Sequence, residues 1–273
     1  MFKNVISDYA TPIRVYELCC LAERGNCTRD EARKKFCPLP TDADDVIAPI
    51  IRVAVELELL EENRDEIILT DIARSGTALT SVKEFRRWCN ARSLRESEDL
   101  FSRISAVMLR IYDSQETREM VGENFTTSQR FRDYLANHVN MENIPRNMRA
   151  WRFWSSFLGL GLVHESEKGF SFLPDMYVCL SDAIKNAKLE AGNYTVTEFM
   201  DVLQPFLTVA LPAEGEGRKF CLGMANGLRS LHDSGKIIGR HAPDAKEYWE
   251  LPEMIGHTMP ATISHIILPG GIV

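Results

Sequence analysis

Three times along the chain a helix-like stretch ends in a short apolar plug and runs into a polar turn and a strand-like segment. The copies are IIRVAVELELLEENRDEIILTDIA from Ile50, WRFWSSFLGLGLVHESEKGFSFLPD from Trp151, and MANGLRSLHDSGKIIGRHAPDAKEYWELPE from Met224. The strand-like runs are Glu66 to Thr70, Gly169 to Leu173 and Glu247 to Leu251. Helical periodicity that switches abruptly to alternation after a plug is a helix delivered onto a hairpin. A repeat of that unit restricts the chain to small helix-and-hairpin modules.

Punctuation fills in the rest of each module. Pro12 after Thr11 suits the start of a helix, IRVYELCCLAERG, that Gly25 closes. Thr28 with Glu31 has capping-box spacing and opens RDEARKKF, which Pro38 and Pro40 end. A third helix is expected from Thr41 or Asp42 to about Leu60, kinked or divided by Pro49. Residues 77–122 read as a helical linker with apolar positions at Val82, Phe85, Trp88, Leu94, Phe101, Ile104, Val107, Met108 and Ile111. Thr127 or Ser128 is expected to cap QRFRDYLANHV, and Ile144-Pro145 to open the aromatic-rich helix after it. Thr195 or Thr197 is expected to cap VTEFMDVLQPF, interrupted by Pro205. The segment after Met254 is apolar and β-branched, suited to covering a sheet edge or docking on a partner.

Composition excludes several classes. No run approaches the roughly 18–20 apolar residues of a membrane span, and MFKNVISDYA has no apolar signal core, so a cytoplasmic protein without membrane contact is expected. The seven cysteines form no C-x-x-C pair, which points to buried reduced thiols rather than zinc or redox chemistry. No phosphate loop, G-x-G-x-x-G, H-E-x-x-H or G-x-S-x-G is present, and no histidine has a partner four residues on. A non-enzymatic protein without cofactor or metal is the expectation.

Charge separates the three modules. The net charge of −7 argues against a chain that binds nucleic acid all over. Residues 77–163 nevertheless carry 13 Lys and Arg against 10 Asp and Glu, while both flanking segments are acidic. In P-R-N-M-R-A-W-R, Arg146, Arg149 and Arg152 lie three apart and span an arc of about 120° on one helix face. No acid lies between Asn143 and His164. Arginine suits phosphate or the guanine edge, and Asn147 could read adenine. The neighbours Trp151, Phe153, Trp154 and Phe157 are assigned to the core. Lys83, Arg86 and Arg87, with Arg92 and Arg95, form a second basic run that suits a phosphate backbone or an internal acidic partner. The first module's helix, by contrast, starts T-D-A-D-D, which a phosphate would repel. The third hairpin's Lys236, Arg240, His241 and Lys246 are diluted by Asp244 and Glu247.

The stretches L-E-L-L-E-E-N, L-G-L-V-H-E-S-E-K-G-F-S-F and L-H-D-S-G-K-I-I resemble the helix ends and wings of tandem winged helix-turn-helix proteins of prokaryotes. Two such groups are similar: accessory proteins of anti-phage and DNA-modification islands, including the 7-deazapurine-in-DNA system, and acidic winged-helix subunits of condensin-like complexes. The resemblance implies a mainly α fold with small antiparallel hairpins. Winged-helix units would occupy residues 1–76 and 123–180, with a winged-helix-like third over 181–273 ending in the apolar tail. It implies a bacterial, DNA-binding or DNA-associated subunit for antiviral defence or DNA processing, working by protein–protein interaction. Its partners would be double-stranded DNA and an ATPase, helicase or nuclease of the same operon. The alternatives are a pure protein scaffold and a homodimeric transcriptional regulator.

Overall fold

The computed structural model describes every residue except 1, 3, 4, 26, 38–42, 96, 97, 121–127, 141, 142, 167, 168, 213–216 and 271–273. The first part runs α1 (Pro12–Glu23), β1 (Cys27–Thr28), α2 (Arg29–Phe36), α3 (Ala43–Glu56), β2 (Leu60–Asn63), β3 (Glu66–Leu69) and α4 (Asp71–Ser75). Next come α5 (Val82–Ser93), α6 (Leu100–Leu109), α7 (Gln115–Met120), α8 (Gln129–Val139), α9 (Ile144–Leu158), β4 (Gly161–Ser166) and β5 (Gly169–Pro174). The last part is α10 (Tyr177–Asn186), β6 (Gly192–Thr195), α11 (Val196–Leu207), α12 (Leu222–Asp233), β7 (Ile238–Arg240), β8 (Trp249–Glu250), β9 (Thr262–Ile263) and β10 (His265–Leu268). The fold is thus mostly helical with small antiparallel sheets.

The repeated plug has one structural cause. After α3, α9 and α12 a residue in the left-handed region stops the helix: Glu58 (φ 58°), Gly159 (φ 73°) and Gly235 (φ 70°). Each donates its N–H to a carbonyl three residues back: Glu58 to Val55, Gly159 to Ser156, Gly235 to His232. The following residue then reaches five back, Leu59 to Ala54, Leu160 to Ser155 and Lys236 to Leu231, at 3.0, 2.9 and 2.9 Å. This is the Schellman pattern, which satisfies the last helical carbonyls and turns the chain outward. Two copies use glycine, which adopts positive φ without a Cβ clash. The first uses Glu58, whose carboxylate pairs with Arg92 at 2.8 Å. Trp88 Nε1 of α5 donates to the Leu57 carbonyl beside it, 2.8 Å away.

The first and third parts share more than that terminus. Their sheets have the orders β1-β3-β2 and β6-β10-β7, so in each the last strand lies in the middle. In each, a threonine closing the first strand caps the next helix in a full capping box, Thr28 with Glu31 and Thr195 with Glu198. Hydrogen bonds from the threonine backbone and side chain hold both carboxylates below their usual range. Strands β1 and β6 have no periodicity in sequence and were not expected. Neither Pro49 nor Pro205 divides its helix. Thr41, Asp42 and Thr127 lie outside the described residues, and Ser128 caps α8.

The third hairpin corrects the sequence reading. The run Glu247 to Leu251 does not pair with β7; only Trp249–Glu250 is strand, and it pairs with β9. The partner of β7 is β10, in the register Arg240↔His265 to Ile238↔Ile267. The reason is burial: Ile266 and Leu268 are enclosed, while Glu247 and Tyr248 face solvent. The apolar tail is therefore the central strand of its sheet, and residues 241–264 are an excursion from it.

The described residues of segment 77–122 are mostly helical, in α5, α6 and α7, and α5 and α6 are core elements. Phe85, Cys89, Leu94, Phe101, Ile104 and Met108 are fully buried. Arg86 of α5 forms a two-pronged pair with Asp182 of α10, at 2.8 and 3.1 Å, and Asn90 donates to the same carboxylate at 2.8 Å. Asn90 also donates to the Leu158 carbonyl at the end of α9, so this cluster joins α5, α9 and α10. Helix α12 lies against α10 and β5. Gly223 and Gly227 make that approach possible: a Cβ on Gly227 would stand 2.7 Å from the Met176 backbone, and one on Gly223 2.7 Å from Leu109. The seven cysteines are free thiols; burial pushes Cys19, Cys89 and Cys179 up, so they are unreactive hydrophobes at neutral pH. Among the described residues no helix is long and apolar enough to cross a membrane.

Candidate nucleic-acid interface

Helix α9 carries the cationic face that the sequence singles out. Asn143 precedes it with φ 48°, and Pro145 sits in its first turn, where a missing N–H costs nothing. Its inner face is Asn147, Met148, Ala150, Trp151, Trp154, Ser155 and Leu158, all buried. Both indoles find acceptors, Trp151 at Ser105 Oγ (3.0 Å) and Trp154 at the Ala10 carbonyl (2.7 Å). That pairing lets polar ring nitrogens enter a core without an unsatisfied donor. What remains outside is a stripe: Arg149, Phe153 and Ser156 are exposed, with Arg146 and Arg152 half-buried along its margins.

The seven residues assigned from sequence fare differently. Arg146 keeps 41% of its side chain exposed and sits 3.5 Å from Asp8 Oδ1. Arg149 is exposed and forms no ion pair among the described residues. Arg152 stacks its guanidinium over Phe170 at 4.0 Å and Phe153 at 4.9 Å, and its Nε and Nη1 are buried without a hydrogen-bond partner among the described residues. Asn147 is not available to a base: it is buried, and its Oδ1 accepts from the Ile6 N–H at 2.9 Å. Arg86 is likewise withdrawn by Asp182, whose carboxylate raises its pKa further. Arg87 pairs with Glu84 one turn back at 2.5 Å. Lys83 is exposed on α5. Of the second basic run, Arg92 is spent on Glu58 and the Trp88 ring, leaving Arg95 exposed.

Residues that sequence reasoning missed border the stripe. The N-terminal segment runs along α9, with Ile6 at Asn147, Asp8 at Arg146 and Ala10 at Trp154. These contacts place Tyr9 beside the stripe, 39% exposed. Phe153 on the helix is 41% exposed, against the core position expected for it, whereas Trp151 and Trp154 are fully enclosed. On the other margin Phe170 of β5 holds Arg152. At the Arg146 end the stripe meets a cleft of about 320 Å³ between the N-terminal segment and α3, lined by Val5, Pro49 and Val53 with Arg52 and Glu56. No helical or strand periodicity marks residues 2–10, so only their apolar content (Phe2, Val5, Ile6) hints that they are packed.

The corresponding helices elsewhere are less open. In α12, Gly223, Met224, Ala225, Gly227, Leu228, Arg229 and Leu231 are buried, so its outer face is taken up inside the molecule. The side chains of Asp44 and Asp45 in α3 lie outside the described ones; further along, Glu56 accepts the Phe2 N–H at 2.7 Å. In the third hairpin Lys236 lies over Tyr177 and His241 bonds Thr262, leaving Arg240 and Lys246 exposed. A larger hollow of about 920 Å³ between the second and third parts has mixed charge, with Lys219 against Asp113 and Glu253. Its Arg110 is engaged by the carbonyls of Ala106, Val209 and Leu211. Among the described residues no three His, Cys, Asp or Glu side chains are grouped to hold a metal ion.

Chemically, the α9 stripe offers arginine donors and exposed π-faces, a combination suited to a phosphate backbone and its bases. No family model, curated protein or solved structure matches the chain.

Proposed function

We propose that the chain is a non-enzymatic, DNA-associated subunit of a bacterial assembly, in which three winged-helix units share the work unequally. The fold part of this reading draws on the order helix, strand, helix, helix, strand, strand in the first part, which the third part repeats once β8 and β9 of its excursion are set aside, with the last strand central in both. It also draws on the common Schellman terminus that delivers α3, α9 and α12 onto their hairpins. Among the described residues the second unit shows no small first strand, and it takes α8 and α9 with α6, from the segment expected as linker, as its helices.

The observation that carries the DNA reading is the open arginine stripe on α9, centred on Arg149. It lies in the one cationic segment of an acidic chain, where a polyanion gains most and the flanking acidic units repel it. Those flanking units serve protein partners, and an ATPase, helicase or nuclease of the same operon is the class expected. A protein-docking role for the third unit has its own support. Ile255 at the tip of the 241–264 excursion is 97% exposed and Met254 beside it 54%, an apolar knob with no solvating purpose.

The test is a salt titration of binding to a fluorescent DNA duplex with a single-stranded tail. Two or three phosphate contacts predict a log–log slope of roughly −2 to −3. Replacing Arg146, Arg149 and Arg152 together by alanine should flatten that slope. A folded triple variant with unchanged affinity and slope would remove α9 from the reading, and absence of binding at low salt would leave the scaffold alternative standing.

A further inference from the structure

We infer that the strand held on α9 is unpaired, with bases stacked on Phe153 and Tyr9 rather than read in a duplex groove; this rests on the DNA-associated reading above. The first argument is steric. An α-helix with its side chains is about 10–12 Å across, and the major groove is about 12 Å wide. A helix enters it only when nothing flanks its outer half. Helix α9 is flanked on one side by residues 6–10 and on the other by Phe170 of the hairpin. Its one amide suited to adenine, Asn147, is buried under Ile6. With chain packed along both sides of the helix, the stripe is better placed for a phosphate backbone than for base edges at groove depth.

The second argument is chemical. Phe153, against Arg152, and Tyr9, next in sequence to the Asp8 that meets Arg146, are exposed aromatic side chains at 41% and 39%. A duplex hides its base faces, whereas a single strand presents them. Aromatic platforms interleaved with cations are how proteins hold such strands without regard to sequence. Arg152, stacked between Phe153 and Phe170, stiffens the Phe153 ring from behind. The third argument is room. The cleft at the Arg146 end, about 320 Å³ and lined by Val5, Pro49 and Val53 with Arg52 and Glu56, is large enough for one base turned out of the strand.

The experiment measures affinity at low salt for a dT oligonucleotide, an rU oligonucleotide and a blunt duplex of equal length. Wild type is compared with Phe153→Leu and Tyr9→Ala, each checked for an unchanged thermal midpoint. Phe153→Leu keeps apolar bulk and removes the π-face. The expected result is tighter binding of dT than of duplex, with each variant losing about five- to a hundred-fold on dT and nothing on duplex. Duplex bound more tightly than dT, with both variants neutral, overturns the inference and leaves the DNA reading intact. Binding of rU alone supports the unpaired strand and overturns DNA as its source. No binding to any of the three overturns the DNA reading itself.

Discussion

Helices α9 and α12 are built to one plan and used in opposite ways. Both end in a glycine of positive φ, both donate back through the same pair of hydrogen bonds, and both hand over to a strand. The outward face decides the difference. Counted from the shared terminus, the α12 positions that match Arg149 and Phe153 are Ala225 and Arg229, both buried, with Arg229 donating to the Pro252 carbonyl of the 241–264 excursion, while Gly223 and Gly227 let β5 and the start of α10 close on the neighbouring face. On α9 Arg149 and Phe153 are both exposed, and the face stays in solvent. One supersecondary unit thus yields an internal joint or an external surface according to what packs over that face.

The largest expected effect is on the joint. Asp182→Ala removes the acceptor shared by Arg86 and Asn90 and leaves a mostly buried guanidinium uncompensated. Loss of one partner of a buried pair costs about 3–5 kcal/mol, measured by urea unfolding. A loss below about 1 kcal/mol would mean that α10, and α12 with it, is not fastened through this carboxylate. Next is Gly227→Ala. In an open helix that change stabilises by about 1 kcal/mol. Here the new Cβ meets backbone of Met176 and Tyr177 at 2.7 and 2.8 Å, so a destabilisation of about 1–3 kcal/mol is expected. A stabilised Gly227→Ala would show that the α12 face is not closed. The smallest effect is at the first copy of the terminus. Glu58→Gly relieves a left-handed residue, worth about 1 kcal/mol, and gives up an exposed ion pair with Arg92 worth at most about that. The balance is a gain of about 0.5 kcal/mol or less, visible as a small rise in thermal midpoint.

What was legible from sequence follows from the range of each interaction. The plugs, the two T-x-x-E capping boxes and the shared face of Arg146, Arg149 and Arg152 all depend on residues within one or two turns. Asn147 was misjudged, and the choice between phosphate and an internal partner for Arg86 was not legible, because their partners, Ile6 and Asp182, are 141 and 96 residues away. The same blindness hid the pairing of β7 with β10 across the 241–264 excursion. Phe153 was placed with its aromatic neighbours because composition cannot tell which side of an aromatic helix faces out; counting 100° per residue from Trp151 and Trp154 puts it on the opposite side. The spacing of Gly223 and Gly227, one helical turn apart, was a readable sign of close packing that charge counting passed over.

Nucleic acid should meet α9 and not the third unit. The direct measurement is fluorescence anisotropy at low salt with a tailed duplex, comparing Arg149→Glu with Arg240→Glu, two exposed arginines reversed in charge on the two units. Arg149→Glu should weaken binding about ten-fold or more, since one charge-assisted contact becomes a repulsion, while Arg240→Glu stays within about two-fold of wild type. Equal losses, or a loss confined to Arg240→Glu, would contradict it.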